Sequence, residues 1–387
     1  VHQEFLYLKK LHCFNQLSET RTVYFPGLNG VRAIAALVVV FSHITIALEK
    51  FDLDPFIFGT LANGKLKVTL MSEFGVTMFF VLSGFLITYL LLEEKSKAKI
   101  QIRKFYMRRI LRIWPLYYIY LIVALVTLIV IGIPINGTSL LEYIFFASNI
   151  PFIYARPLPL LEHYWSLGVE EQFYLFWPWI VAKAKSLKTV LIALVVFMLA
   201  GKFYFHIFHP GSIHDMSFTI TRFHCMMFGA IGAILYREEN SVFLRLVDNK
   251  LMQFISWLVI FLSCGSFINL PVVINNEVIS VFALFIIVGQ ANVKNRLIPL
   301  ENRTFDFLGK ISYGIYVIHP LVIFFAEKFI VKFSKFEVIN YLTVYLIIIT
   351  STITLAYVSY NYFEKYFLNL KHKFEVVRSS NSKTISA

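Results

Sequence analysis

Arg32 and His43 stand 11 residues apart in one apolar run. On an α-helix that interval returns to within about 20° of the same face while rising roughly 16 Å. A guanidinium at the edge of a ~30 Å hydrocarbon layer would then lie in line with an imidazole near its midplane. A single imidazole in an apolar run is more often a packing residue. The aligned arginine argues for chemistry, because ionisable groups at that depth are costly and are kept for a use. A neutral imidazole with an ordinary pKa near 6.5 can remove a proton from a hydroxyl, or attack a carbonyl itself. The stretch 102–115 reads as a basic loop at the membrane surface, in which Arg109 and Arg112, spaced i,i+3, fall on one side of a helical turn. Such a pair can anchor the chain to lipid phosphates, or it can hold a phosphorylated cytoplasmic ligand through bidentate guanidinium forks.

Two adjacent carboxylates, Glu170 and Glu171, follow Trp165 at the start of another apolar run. They point about 100° apart on a helix, so at least one faces the bundle interior, and Glu170 shares its face with Tyr174 and Trp177. An acid beside aromatic rings suits a sugar site. Ser83-Gly84 lacks the glycine spacing of a hydrolase nucleophile elbow and reads first as a close-packing pair. His206, His209, His214 and Asp215 match no zinc spacing, and no Walker A, metalloprotease or dinucleotide motif is present, so no metal is expected. Cys13, Cys225 and Cys264 are too few and too scattered for a disulfide framework.

Which elements could position these groups follows from composition. The chain has 387 residues, of which 58% are hydrophobic and only 15% charged, with a net charge of +13. Soluble domains average about 25% charged residues, so this chain is expected to be an integral membrane protein. Its positive charges fall between apolar runs and not along one polar face, which argues for topology signals and against nucleic acid. Runs near 31–48, 74–92, 113–135, 165–182, 188–205, 218–236, 251–268, 277–292, 308–327 and 340–362 are long enough to span. A shorter stretch, 140–154, carries Asn149 and Pro151. If it does not cross, 27 of the 36 Lys and Arg lie inside and 9 outside; if it does, the division is 18 and 18. The positive-inside rule selects the first option. The expected fold is therefore an all-α polytopic bundle of about ten transmembrane helices, with one re-entrant or interfacial segment and both termini cytoplasmic. Residues 1–30 read as a cytoplasmic segment without a cleavable leader, 31–366 as one transmembrane domain, and 367–387 as a cytoplasmic polar tail too short for a further domain.

Five ordered segments resemble the membrane acyltransferase-3 family, the O-acyltransferases of bacterial surface carbohydrates. They are Gly30-Val31-Arg32 through Leu37 followed by His43, Gly75 through Phe85, Phe105 through Pro115, Trp165 through Pro178, and Leu308 through Pro320. Together they cover about 30–370. Two positions depart from the family pattern: Asn29 stands where Asp is common, and Gly168 where Ser is common.

The resemblance implies a protein of the inner membrane that moves an acyl group, commonly acetyl, from cytoplasmic acetyl-CoA to a sugar hydroxyl on a carbohydrate or glycolipid at the far side. It implies that Arg32, Arg109 and Arg112 hold the donor and that His43, Glu170 and Glu171 are catalytic. Tyr174, Trp165, Ser83 and His319 become substrate contacts. Relatives often carry a soluble esterase-like domain after the last helix; without one here, a separate periplasmic partner is expected. General-base and covalent acyl-histidine routes are both open to His43. Two rival activities fit parts of the sequence. Asp52 and Asp54 resemble the acidic pair of polyprenyl-phosphate-dependent glycosyltransferases, and a glycolipid transporter would also bury His and Glu.

Overall fold

A computed structural model describes residues 23–61, 64–268, 270–271, 273–330 and 334–377; Cys13 lies outside them. The described residues are helical, with no strand beyond an isolated bridge between Thr60 and Leu66. Helices α1 (Leu28–Ile46), α2 (Thr69–Lys97) and α3 (Ile102–Val130) open the bundle. Two short helices, α4 (Gly137–Ile144) and α5 (Asn149–Ile153), precede α6 (Tyr164–Lys183) and α7 (Leu187–Phe208). Then come α8 (Ile213–Thr221), α9 (Phe223–Arg237), α10 (Ser241–Val247), α11 (Lys250–Cys264) and α12 (Asn275–Asn292). Helices α13 (Arg303–Lys310), α14 (Ser312–Phe329) and α15 (Glu337–Ser359) follow, and a π-helical segment, Tyr360–Glu364, leads into α16 (Lys365–Lys371).

Eight of the ten apolar runs each fall mainly on one helix, whereas 218–236 crosses from α8 into α9 at Arg222 and 308–327 crosses from α13 into α14 at Ile311. Among the described residues, six helical runs are long and apolar enough to cross a membrane, with Ile213–Arg237 through α8 and α9 counting as one, and up to eight if the bent pairs α10–α11 and α13–α14 each count as one span. Helices α6 and α12 fall outside that set, α6 because Glu170, Glu171 and Lys183 interrupt its apolar course. The chain is a multi-pass membrane protein. Its outward faces fit this, since Phe197 and Leu346 are exposed where a soluble fold would bury them. The stretch 140–154 takes in most of α4 and all of α5, helices of 8 and 5 residues, far short of the ~20 needed to span. It is fastened to α6: Ser148 Oγ donates to the Tyr164 carbonyl at 2.6 Å, and Gln172 Nε2 donates to Asn149 Oδ1 at 2.7 Å. Gly168 makes that approach feasible, because a Cβ there would come within 2.6 Å of Ser148 Oγ. A side chain there would also press on the Phe146 carbonyl oxygen, 3.0 Å from the same Cβ.

With little hydrophobic force between helices in lipid, close packing of small residues must hold them together. Helices α2 and α9 meet backbone to backbone. A Cβ on Gly84 would fall 1.9 Å from the Met226 carbonyl oxygen, and one on Gly229 would fall 2.0 Å from that of Val81. Gly84 therefore packs, as its type predicts, and this contact fixes the rotation of α2 that turns Ser83 elsewhere.

Candidate active site

A cavity of about 160 Å³ opens between α1, α2, α3, α6 and α14, with Arg32, Arg109, Arg112, Ser83, Glu170 and Tyr174 on its wall. The expected loop around Arg109 is instead the first turns of α3, which begins at Ile102 and continues through Pro115. This helical course separates the arginines by role. Arg108 turns away and binds Glu94 Oε2 at 3.1 Å. Arg109 and Arg112 face the cavity, and the Arg109 guanidinium lies 5.5 Å from the centre of the Tyr174 ring. Arg109 Nε is buried without a hydrogen-bond partner. Arg32, one turn into α1, donates from Nη1 to Asn29 Oδ1 at 3.0 Å, while Asn29 Nδ2 donates to Asp306 Oδ1 at 3.1 Å. The amide at position 29 thus relays between a cation and an anion that do not touch directly. Among the described residues, no ion pair joins Arg32, Arg109 or Arg112 to a carboxylate. At the rim, Tyr24 donates to Glu301 Oε1 at 3.0 Å; burial and then this carboxylate hold its phenol above the ordinary value.

The two adjacent acids divide as their 100° offset predicts. Glu170 accepts from both the Ser83 and the Tyr174 hydroxyls inside the cavity. Glu171 lies off the cavity wall, and its Oε2 accepts from Trp114 Nε1 at 3.1 Å. Two aromatics of the same motif stay out of the cavity as well. Trp177 is fully buried and donates to Thr88 Oγ1 at 2.9 Å, and Trp165 is packed beneath the Arg222 guanidinium at 5.2 Å.

His43 and His319, 276 residues apart, meet at 2.8 Å between Nδ1 and Nε2. His319 is fully buried, and its Nδ1 lies 3.3 Å from the Ile315 carbonyl. A carbonyl only accepts, so Nδ1 of neutral His319 carries the hydrogen and its Nε2 is an acceptor. His43 must then donate from Nδ1, which leaves its own Nε2 with a free lone pair. His319 is thus placed as a partner of His43. Neither imidazole lines the cavity. Tyr316 and Phe79 do, with ring centres 6.0 Å apart, and Tyr316 also contacts the His319 ring at 5.9 Å. Tyr316 thus stands between the arginine-lined space and the His319 ring, with Phe79 beside it on the cavity wall. The Tyr316 hydroxyl is pinned by Ser166 Oγ at 2.5 Å and donates to the His163 carbonyl at 3.0 Å, whereas the Phe79 ring has no polar tether.

The acyltransferase-3 family profile, described as an acyltransferase domain, matches residues 25–361. The chain belongs to the acyltransferase-3 family. Among its relatives, a Staphylococcus aureus (strain COL) protein named provisionally as an O-acetyltransferase is 28% identical over 371 residues, spanning 88% of this chain and 57% of the relative. The O-acetyltransferase OatA of Staphylococcus aureus (strain NCTC 8325 / PS 47) is 25% identical over 366 residues, with the same coverage. The chain therefore spans about half the length of the curated relatives it matches. No solved structure matches it.

For a member of this family, sequence reasoning overlooked several residues that the fold brings to the site. Phe79 and Tyr316 fell inside recognised segments but carried no stated part. His163, whose ring lies 5.4 Å from that of His319 and whose Nδ1 is buried without a partner, could have been found as a third ionisable group at membrane depth. Other expected features sit elsewhere. Asp54 is occupied as the cap of a short helix, accepting from the Phe56 amide at 2.8 Å. His206 pairs with Asp215 at 3.4 Å, and among the described residues no cluster of three or more His, Cys, Asp or Glu could hold a metal.

Proposed function

We propose that this chain is a membrane O-acyltransferase that moves an acetyl group from cytoplasmic acetyl-CoA to a hydroxyl of an extracytoplasmic or lipid-linked carbohydrate. The observation that carries the reading is the pairing of two features. One is a cavity lined by three arginines that make no ion pair among the described residues; the other is a histidine pair whose tautomers leave His43 Nε2 free as a base. The donor's acetyl group follows from the O-acetyltransferase names of the relatives. Arg109 and Arg112, with Arg32, would take the donor's phosphates, since guanidinium forks match phosphate oxygens bidentately. At about 160 Å³, well under the ~300–1,000 Å³ of drug-sized ligand pockets, the cavity suits the slender acyl-pantetheine arm and leaves the nucleotide at its mouth.

In this mechanism the thioester reaches past Phe79. The acceptor hydroxyl approaches from the opposite side and gives its proton to His43 Nε2 as its oxygen attacks the thioester carbonyl. The tetrahedral intermediate collapses, the C–S bond breaks, and the proton on His43 passes to the departing coenzyme A sulfur. His319 accepts the Nδ1 hydrogen of His43 and stabilises the imidazolium formed in between. Glu170 orients Ser83 and Tyr174 along the route of the arm. Such positioned proton transfer contributes roughly 10²–10⁴ in rate.

The membrane arrangement belongs to the same proposal: ten spans over 31–366 in the inner membrane, with residues 1–30 and 367–387 cytoplasmic and α4–α5 an interfacial piece on the outside. Donor then enters and acceptor arrives from opposite faces. Incubating the purified protein with acetyl-labelled acetyl-CoA and with a label-bearing lipid-linked sugar separates this from the glycosyl-transfer and transport readings. Label moving from acetyl-CoA to carbohydrate supports acyl transfer; label moving from the lipid-linked sugar, or from neither, refutes it.

A further inference from the structure

Lys371 falls in the polar tail, to which the sequence assigns no chemistry, yet it stands on the cavity wall with Arg32, Arg109 and Arg112. Among the described residues, the only carboxylate on the same wall is that of Glu170, already engaged by Ser83 and Tyr174. Lys371 arrives there through an unusual route. The helical run Glu337–Phe374 has 38 residues, about 57 Å at 1.5 Å per residue. That exceeds a ~30 Å hydrocarbon core, so its last turns emerge beyond it. The π-helical segment Tyr360–Glu364 interrupts the run and rotates everything after it; such segments recur at functional sites.

Past the π segment the chain is fastened at the base of the bundle. Arg108 Nη1 donates to the Phe374 carbonyl at 2.8 Å while its Nη2 holds Glu94, which is buried. The Lys371 side chain is only 16% exposed, and its Nζ makes an ion pair with Glu375 Oε1 at 3.7 Å, beyond hydrogen-bond distance. It also lines the smaller adjoining cavity, beside Arg108, Glu94 and Glu375. Lys371 thus marks the rim where the main cavity gives way to its neighbour, on an element separate from the three arginines.

We propose that Lys371 binds the 3′-phosphate of the coenzyme A donor; this rests on the donor reading above. The 3′-phosphate and the thioester occupy opposite ends of that molecule, so a cation at the rim meets the first when the arm is in the cavity. A compact ammonium suits a terminal phosphate as a point charge, while the arginine forks suit the bridging pyrophosphate.

The test compares acetyl-CoA with acetyl-dephospho-CoA, which lacks only the 3′-phosphate, in proteoliposomes exposing the cytoplasmic face. Wild type is expected to prefer acetyl-CoA by roughly 10–100-fold in kcat/KM, the worth of a hydrogen bond to a charged group. In Lys371→Met that preference should collapse toward unity, and in Lys371→Arg most of it should return. A wild type that uses both donors equally overturns the assignment with no variant needed. So does a Lys371→Met protein that keeps the wild-type preference. A wild type that uses neither donor refutes the donor reading itself, which is a different result from either.

Discussion

Replacing His319 with alanine isolates the claim that one histidine sets the chemistry of the other. The imidazole removed is fully buried and accepts the Nδ1 hydrogen of His43 at 2.8 Å. Its loss withdraws a hydrogen bond that strengthens as His43 becomes cationic, a differential of about 1–3 kcal/mol. At 1.36 kcal/mol per factor of ten, this corresponds to roughly a 5- to 150-fold loss in rate. The upper half of that range is expected, because His43 is cationic in the transition state and charge-assisted hydrogen bonds are about twice as strong as neutral ones. The deficit should appear in kcat with the donor KM little changed, the mark of an interaction made in the transition state. His319→Gln, whose side-chain oxygen can accept the same hydrogen, should recover part of it. Acetyl transfer from labelled acetyl-CoA in proteoliposomes measures both constants. The double variant with His43→Ala should be no slower than His43→Ala alone, since groups acting as a unit are not additive. Wild-type kcat in His319→Ala, or a double variant whose loss is the product of the two single losses, would refute the coupling.

Converting Arg109 and Arg112 together to Lys keeps the charge but removes the forks, so the donor KM should rise about tenfold for each 1.4 kcal/mol lost, while acceptor saturation and insertion are unaffected; an unchanged donor KM removes both from the site. Gly84→Leu forces a side chain where even a Cβ would lie 1.9 Å from the Met226 carbonyl, and overpacking of this kind costs about 1–3 kcal/mol or more; a thermal-shift assay in detergent should show a clearly lowered Tm, and a variant as stable as wild type would contradict the α2–α9 contact. In a background lacking the three native cysteines, Lys99→Cys should resist a membrane-impermeant thiol reagent added outside and Ser212→Cys should react; the reverse pattern overturns the proposed topology.

The fold was legible where a single residue type or period decides it. Apolar runs located every long helix, and the Asn149–Pro151 break located the pair that does not span. Gly84 read as packing because no other residue admits such a backbone approach. The 100° offset of Glu170 and Glu171 predicted that they would face different surroundings, and they do. What the sequence hid depends on tertiary pairing. Nothing local says that His319 would meet His43 across 276 residues, nor that Trp165 would be covered by Arg222 while Ser83 reached Glu170. The basic stretch at 102–115 looked like a loop because charge density outweighed its helical period. Lys371 was invisible because its position depends on a π-helical turn with no residue signature.

The central claim is that His43 is the base through which acyl transfer passes. The most direct measurement is single-turnover transfer from labelled acetyl-CoA to carbohydrate acceptor by His43→Ala, beside wild type, at matched amounts of correctly inserted protein. The expected result is a loss of roughly 10²–10⁴ in rate with donor binding retained, because the arginine-lined cavity does not include the imidazole. Near-normal transfer by His43→Ala would contradict it.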